Sequence, residues 1–204
     1  MTFFKRSALF LFLLVMVLTL SGCMGRSPEA RFFLLPADQS QAERAGAMEP
    51  GAAPRAVGIV LQEFPAYLDQ PQIVTRAGNH QLEFAELHRW SQSLREAFLS
   101  GLTERLRMRL EPGSVWAAPF PPYARPDRRV VLDLFRLDGS LGDEAFLETR
   151  WVLLGGSEDR VLAVRRSSLR EPVAGPGYED LVAAEGRLVS LLAAEIAAVV
   201  KSMR

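Results

Sequence analysis

The stretches RVVLDLFRL (129–137), EAFLETRWVLL (144–154) and RVLAVRRSSLR (160–170) decide the fold. Gly139-Ser-Leu-Gly142 and Gly155-Gly-Ser157 separate them, which is the spacing of an antiparallel meander. In the middle stretch Leu147, Thr149, Trp151 and Leu153 fall on one face, while Glu148 and Arg150 fall on the other. One side of the predicted sheet therefore meets a core and the other meets water.

Outward from the meander the period changes. After Pro172 and Pro176, Leu181, Leu188, Leu191, Leu192, Ile196 and Val199 recur at helical spacing, predicting a long helix over Tyr178–Met203. On the N-terminal side, Pro119 to Pro126 reads as loop. Before it, Trp90, Leu94, Phe98, Leu102, Leu106 and Leu110 recur every four residues. They predict an amphipathic helix over Leu87–Leu110, stopped by Pro112 and Gly113. Ile73–Arg76 and His80–Phe84 read as a hairpin around Ala77-Gly-Asn79. Arg55–Phe64 reads as a strand with Val57, Ile59 and Leu61 on one face, and Pro65 stops it. Arg31 to Leu35 reads as a first short strand ended by Pro36, and 37–54, with no aromatic residue and no periodicity, as a long loop. The order strands, helix, strands, helix predicts an α+β fold. Its sheet is antiparallel or mixed, with two long amphipathic helices packed on one face.

The N-terminus speaks to location. Lys5 and Arg6 precede an uncharged apolar run, Ala8 to Leu20. As a helix that run reaches about 20 Å, short of the roughly 30 Å hydrocarbon core, so a removable signal fits better than a membrane span. Leu20-Ser21-Gly22-Cys23 resembles the bacterial lipobox, in which the cysteine takes a diacylglyceryl group and becomes the new N-terminus. The expected organisation is a signal peptide over 1–22, a lipidated tether over 23–30 and a single periplasmic α+β domain over 31–204. Met24 after the cysteine, rather than Asp, resembles the sorting signal for the outer membrane, on its periplasmic face.

Composition excludes several chemistries. Cys23 is the only cysteine, so an internal disulfide, a CxxC pair and a thiolate zinc site are ruled out. Removal of Lys5 and Arg6 leaves 22 basic against 24 acidic side chains, a balance that gives no electrostatic case for nucleic acid. The basic clusters Arg105-Arg107-Arg109 and Arg125-Arg128-Arg129 read as a solvated helix face and a strand entry. The chain has two histidines; His80 sits at a predicted strand start and His88 in the first helical turn, positions of surface or capping residues. Asp133, Asp138, Asp143 and Glu144 fall on strands and hairpin turns, where solvation is the plain role. No HExxH, GxSxG, Walker A or GxGxxG motif is present, and the sequence is read as non-enzymatic, without metal or cofactor. Trp90 and Trp151 lie on apolar stripes and read as core.

Tyr67, Leu68, Asp69, Pro71, Gln72, Ile73 and Val74, followed by Trp90, Leu94 and Trp151, resemble a known family. It comprises the auxiliary lipoproteins of ABC-type, MCE-linked transport systems, the PqiC/YmbA family. Gln70 stands where that family commonly has an arginine. The resemblance implies a lipid-anchored periplasmic subunit that docks an MCE-domain protein and helps move lipids and maintain the envelope. A ring of subunits would match a ring-shaped partner. It makes Tyr67, Leu68, Asp69, Pro71, Gln72 and Arg76 the candidate partner-binding residues, with 37–54 beside them. The same residues also read as a turn: Asp69 can cap it and Pro71 holds Gln70 extended. Two other functions stay open, an assembly or scaffolding lipoprotein that binds a peptide at a sheet edge, and a periplasmic hydrolase.

Overall fold

The computed structural model describes residues 28–36, 56–78, 80–110, 115–156 and 158–203. The expected signal peptide, Cys23, most of the tether and the 37–54 loop lie outside these residues, as do Pro112 and Gly113.

Among the described residues eight strands form one mixed sheet. They are β1 (Arg31–Phe33), β2 (Val57–Glu63), β3 (Gln72–Arg76), β4 (Leu82–Trp90), β5 (Val115–Ala117), β6 (Arg128–Gly139), β7 (Glu144–Gly155) and β8 (Arg160–Pro172). The meander β6–β7–β8 is antiparallel throughout. Beyond β6 the sheet forks: β2 pairs in parallel with the first half of β6 and carries β5 at its outer edge. β3 meets the end of β6 at Thr75 and Gly139, then pairs antiparallel with β4. β4 in turn pairs in parallel with β1.

Helices α1 (Leu94–Arg109) and α2 (Tyr178–Ser202) pack against each other and cover one face of the sheet. Leu94, Ala97, Phe98, Leu102 and Leu106 of α1 and Leu181, Leu188, Leu192 and Ile196 of α2 are buried. They meet Ile59, Val130, Leu132, Leu147, Trp151 and Leu153 in one core. The Trp151 indole N–H is kept from being an orphan there: it donates to Ser167 Oγ at 3.0 Å, which donates to Glu195 Oε2 at 2.6 Å.

Three expectations change. The first helix starts at Leu94, not Leu87: Leu87, His88, Arg89 and Trp90 belong to β4. The four-residue repeat reaches back to Trp90 only because a buried strand position happens to sit four residues before Leu94. Main-chain pairing overrides that repeat, since Gln72 opposes Arg89, the Trp90 N–H donates to Pro71 O at 2.7 Å, and Phe33 pairs with Trp90. Trp90 is nevertheless core, as expected. Second, His88 is no cap; it lies in β4 and stacks on Tyr178 with ring centroids 4.0 Å apart. His80 lies two residues ahead of the strand it was expected to start.

Third, Arg105 and Arg128 are buried rather than solvated. Arg105 Nε donates to Ser190 Oγ at 2.7 Å, Nη1 to Gly101 O at 3.1 Å, and Nη2 to Pro36 O. It thereby ties α1 to α2 and to the chain leaving β1. Arg128 donates to Val200 O and Met203 O at the C-terminal end of α2, where a cation offsets the helix dipole and satisfies free carbonyls.

Candidate functional site

The segment after β2 forms one 3-10 turn, Ala66–Leu68, closed by Leu68 N–H to Pro65 O at 3.0 Å and Asp69 N–H to Ala66 O at 3.2 Å. Leu68 enters the core. Asp69, Gln70 and Pro71 are exposed, and Gln72 is half-buried as it enters β3. The segment is thus a turn, as one reading of these residues expected, with Asp69, Gln70 and Pro71 exposed after it.

Tyr67 and Arg76, at its two ends, converge on Asp138 near the end of β6. Asp138 Oδ2 accepts from the Tyr67 hydroxyl at 2.7 Å and from Arg76 Nη2 at 3.1 Å. Its Oδ1 accepts from Arg76 Nε and Arg136 Nε, each at 2.7 Å. Ser140 Oγ adds a hydrogen bond to Arg76 O at 3.0 Å. The expected solvated role of Asp138 is therefore overturned, for the side chain is fully enclosed. Asp133 is likewise buried and paired with Arg150 Nη2 at 2.7 Å. The reason is register: β6 carries both acids into the reach of arginines on neighbouring strands, which local sequence does not reveal.

The electrostatics follow from this geometry. Burial pushes the Asp138 carboxyl up, but hydrogen bonds from Arg76, Tyr67 and Arg136 together outweigh it and hold it below its usual value. Burial, then the bond to Asp138, raises the Tyr67 hydroxyl well above the ordinary tyrosine value. The bond to Asp138 raises Arg76 against the opposing effect of burial. An ionised carboxylate with four donors at 2.7–3.1 Å has its acceptor capacity used, and the phenol keeps its proton. The cluster is built to hold strands in place rather than to move protons.

Leu137 opposes Leu147 in the core, so Asp138 and Arg136 emerge on the other face of the sheet. That face is ordered across three strands. Asp138 lies opposite Phe146, which lies opposite Arg170; Asp133 lies opposite Arg150, which lies opposite Arg166. The Arg136 guanidinium stands 4.0 Å from the Phe146 ring centroid and Arg170 5.6 Å from it. An irregularity between Leu134 and Arg136 leaves Phe135 exposed there. The face is rich in arginine and aromatic rings, a surface composition enriched at protein contacts.

Among the described residues no group of three His, Cys, Asp or Glu side chains is placed to hold a metal ion, and no helix is long and apolar enough to cross a membrane. A groove of about 690 Å³ runs between the chain leaving β1 and α1, with Leu34, Leu35, Pro36, Ala97 and Thr103 on its walls. Sequence reasoning named Tyr67 and Arg76 but missed Asp138 and Arg136; their i, i+2 spacing in a strand was the available sign that they share a face.

A family model described as "ABC-type transport auxiliary lipoprotein component" matches residues 33–197. Among solved structures, the crystal structure of an uncharacterized protein is similar with a TM-score of 0.67 at 16% identity, covering 85% of this chain and 99% of that one. The crystal structure of a protein from Xanthomonas campestris is similar with a TM-score of 0.60 at 19% identity, covering 82% of this chain and 93% of that one. At these identities the likeness to the two structures is one of fold. Among curated proteins none matches.

Proposed function

The chain belongs to the family of ABC-type transport auxiliary lipoprotein components, and from that membership we propose that it serves a lipid-transport system by docking its MCE-domain protein. In this reading Cys23 carries the lipid, and Met24 directs the protein to the periplasmic face of the outer membrane. The family is one of transport components rather than of enzymes. The protein's part is then to hold a partner near a membrane and help maintain the envelope, not to carry out a reaction.

The observation that carries the reading is how the Tyr67–Arg76 segment is held. Tyr67 and Arg76 are locked onto Asp138 while Asp69, Gln70 and Pro71 between them stay exposed. A pinned but exposed segment binds without first being ordered, which lowers the entropic cost of association. Gln70 removes the cation that the family commonly places there, so docking at this position rests on Asp69 and the neighbouring polar and apolar groups. Copies arranged as a ring would present that segment repeatedly to a ring-shaped partner.

The test is a pull-down from envelope membranes with mass spectrometry. Recovery of an MCE-domain protein with the unmodified chain, lost in Asp69→Arg and kept in Ser168→Ala on β8, is the expected result. Equal recovery with Asp69→Arg removes the segment from the interface. Absence of an MCE-domain protein from every sample overturns the reading.

A second reading rests on β8. It spans Arg160–Pro172 at one end of the sheet and, among the described residues, pairs only with β7. A free edge of that length suits an added strand from an assembly partner. Recovery of outer-membrane proteins, lost on Val164→Pro, would favour it.

A further inference from the structure

β1 ends one branch of the forked sheet, and its two sides differ. Phe33 turns inward, with its ring 5.8 Å from that of His88, and packs against the core. Phe32 alternates with it and points outward, 67% exposed, and Leu34, just past the strand at the rim of the groove beside α1, is 64% exposed. Single exposed apolar side chains are ordinary. Two within three residues, one on a short edge strand and one just past it, with exposed Arg31 adjacent and Arg89 paired with Phe32, call for an occupant.

The position of β1 in the chain says which. Phe32 lies nine positions after Cys23, and those nine steps span at most about 30 Å when fully extended. A domain of this size is roughly 40 Å across, by the usual scaling of compact radius with length. A lipid at Cys23 therefore keeps the β1 edge near the bilayer, and the strand cannot move a full domain diameter away from it. Aromatic and aliphatic side chains beside arginine suit the boundary between headgroups and acyl chains, the arginine reaching lipid phosphates while the apolar groups enter the layer below.

We propose that Phe32 and Leu34, with Arg31 and Arg89 beside them, form a membrane-contact edge that seats the domain on the bilayer holding its lipid anchor. This rests on the lipidation of Cys23 proposed above. Two contacts, one covalent lipid and one protein edge, fix orientation where the lipid alone would leave the domain swivelling. The Tyr67–Arg76 segment is then presented in one attitude to its partner.

The chain itself makes a clean test available. Once Cys23 is acylated, a cysteine introduced elsewhere is the only free thiol. Phe32→Cys, Leu34→Cys and, on β8, Ser168→Cys are produced in the full-length, processed protein and labelled with an environment-sensitive nitrobenzoxadiazole dye. Each is reconstituted into vesicles of phosphatidylethanolamine and phosphatidylglycerol, with and without nitroxide-bearing lipid. The expected result is a blue-shifted, severalfold brighter dye at 32 and 34 that the nitroxide quenches, and a water-exposed dye at 168. Both positions start exposed, so either variant serves if the other folds poorly.

Vesicles that float with the protein while dyes at 32 and 34 stay in water overturn the contact but keep the anchor. A dye at 32 that turns apolar without vesicles, in a protein that elutes as a dimer, assigns the edge to a second copy instead. Absence of acyl mass on Cys23, with no flotation, removes the anchor and the proposal together.

Discussion

The Tyr67 hydroxyl donates to Asp138 Oδ2 at 2.7 Å across 71 positions of sequence. That bond joins the turn after β2 to the end of β6, and it makes the exposed Asp69–Pro71 segment a fixed part of the sheet. With Arg76 and Arg136 on the same carboxylate, it forms a small ionic knot at the fork of the sheet.

Removing the acid leaves two guanidinium groups facing each other. Asp138→Ala is expected to cost about 3 kcal/mol, toward the lower end for a broken buried pair because both arginines keep some contact with water. Tyr67→Phe is expected to cost about 1 kcal/mol, the usual net value of one hydrogen bond. Urea denaturation followed by circular dichroism measures both; equal stabilities for the three proteins would show that the knot holds nothing.

Asp138 also sets the acid limb of stability. Its folded value lies below the ordinary 3.8, so its contribution is present above that pH and is lost as pH falls through the folded value. Asp138→Asn is expected to flatten the decline of Tm in acid, even though it lowers Tm near neutrality. A parallel decline in both proteins would locate the acid sensitivity elsewhere.

Glu185 works in the opposite sense. It lies fully buried on α2, and its Oε2 has no hydrogen-bond partner among the described residues. Burial first, and the negative charge of Asp138 second, push it well above its ordinary 4.5. A raised carboxyl favours folding below the unfolded value, and that contribution is lost as pH rises through the folded value. Glu185→Gln is expected to remove this alkaline decline and to be neutral or stabilising by roughly 1 kcal/mol at neutral pH. Tm measured from acid to alkaline buffers decides it; an undiminished decline in the variant would rule Glu185 out as the cause.

Gly139 sits where β3, β6 and β7 meet. A Cβ added there would stand 2.6 Å from Glu144 O and 2.7 Å from Ala145 Cα, both backbone atoms. Neither can swing away, so Gly139→Ala is expected to cost about 1–3 kcal/mol. The control is Gly78→Ala in the hairpin turn, where a Cβ has open space but the positive φ of 83° penalises it. Its expected cost is about 1 kcal/mol, so chemical denaturation should rank Gly139→Ala as the more damaging change.

The meander was plain in the sequence because each strand carries its own alternation; Leu147, Thr149, Trp151 and Leu153 are buried as their period demands. The C-terminal helix was equally plain, since its apolar stripe repeats over many turns. Trp90 was misplaced because four residues from Leu94 is a helical step and also a distance that a strand and a short bend can cover. Only the pairing of β4 with β1 and β3 separates the two readings. Asp133 and Asp138 looked like surface acids because their partners lie on other strands. For Asp138 one of those partners is Arg76, 62 positions away.

The sequence by itself determined the α+β class, both long helices, the meander and the resemblance that pointed to the family, because these reside in local periodicity and short motifs. The tertiary structure decided the fork at β6, the parallel pairings of β1, β2 and β3, and the gathering of Tyr67, Arg76 and Arg136 around Asp138. Those depend on register between distant strands. A shift of one residue in that register turns every side chain to the opposite face, and nothing within a single strand records which register is chosen.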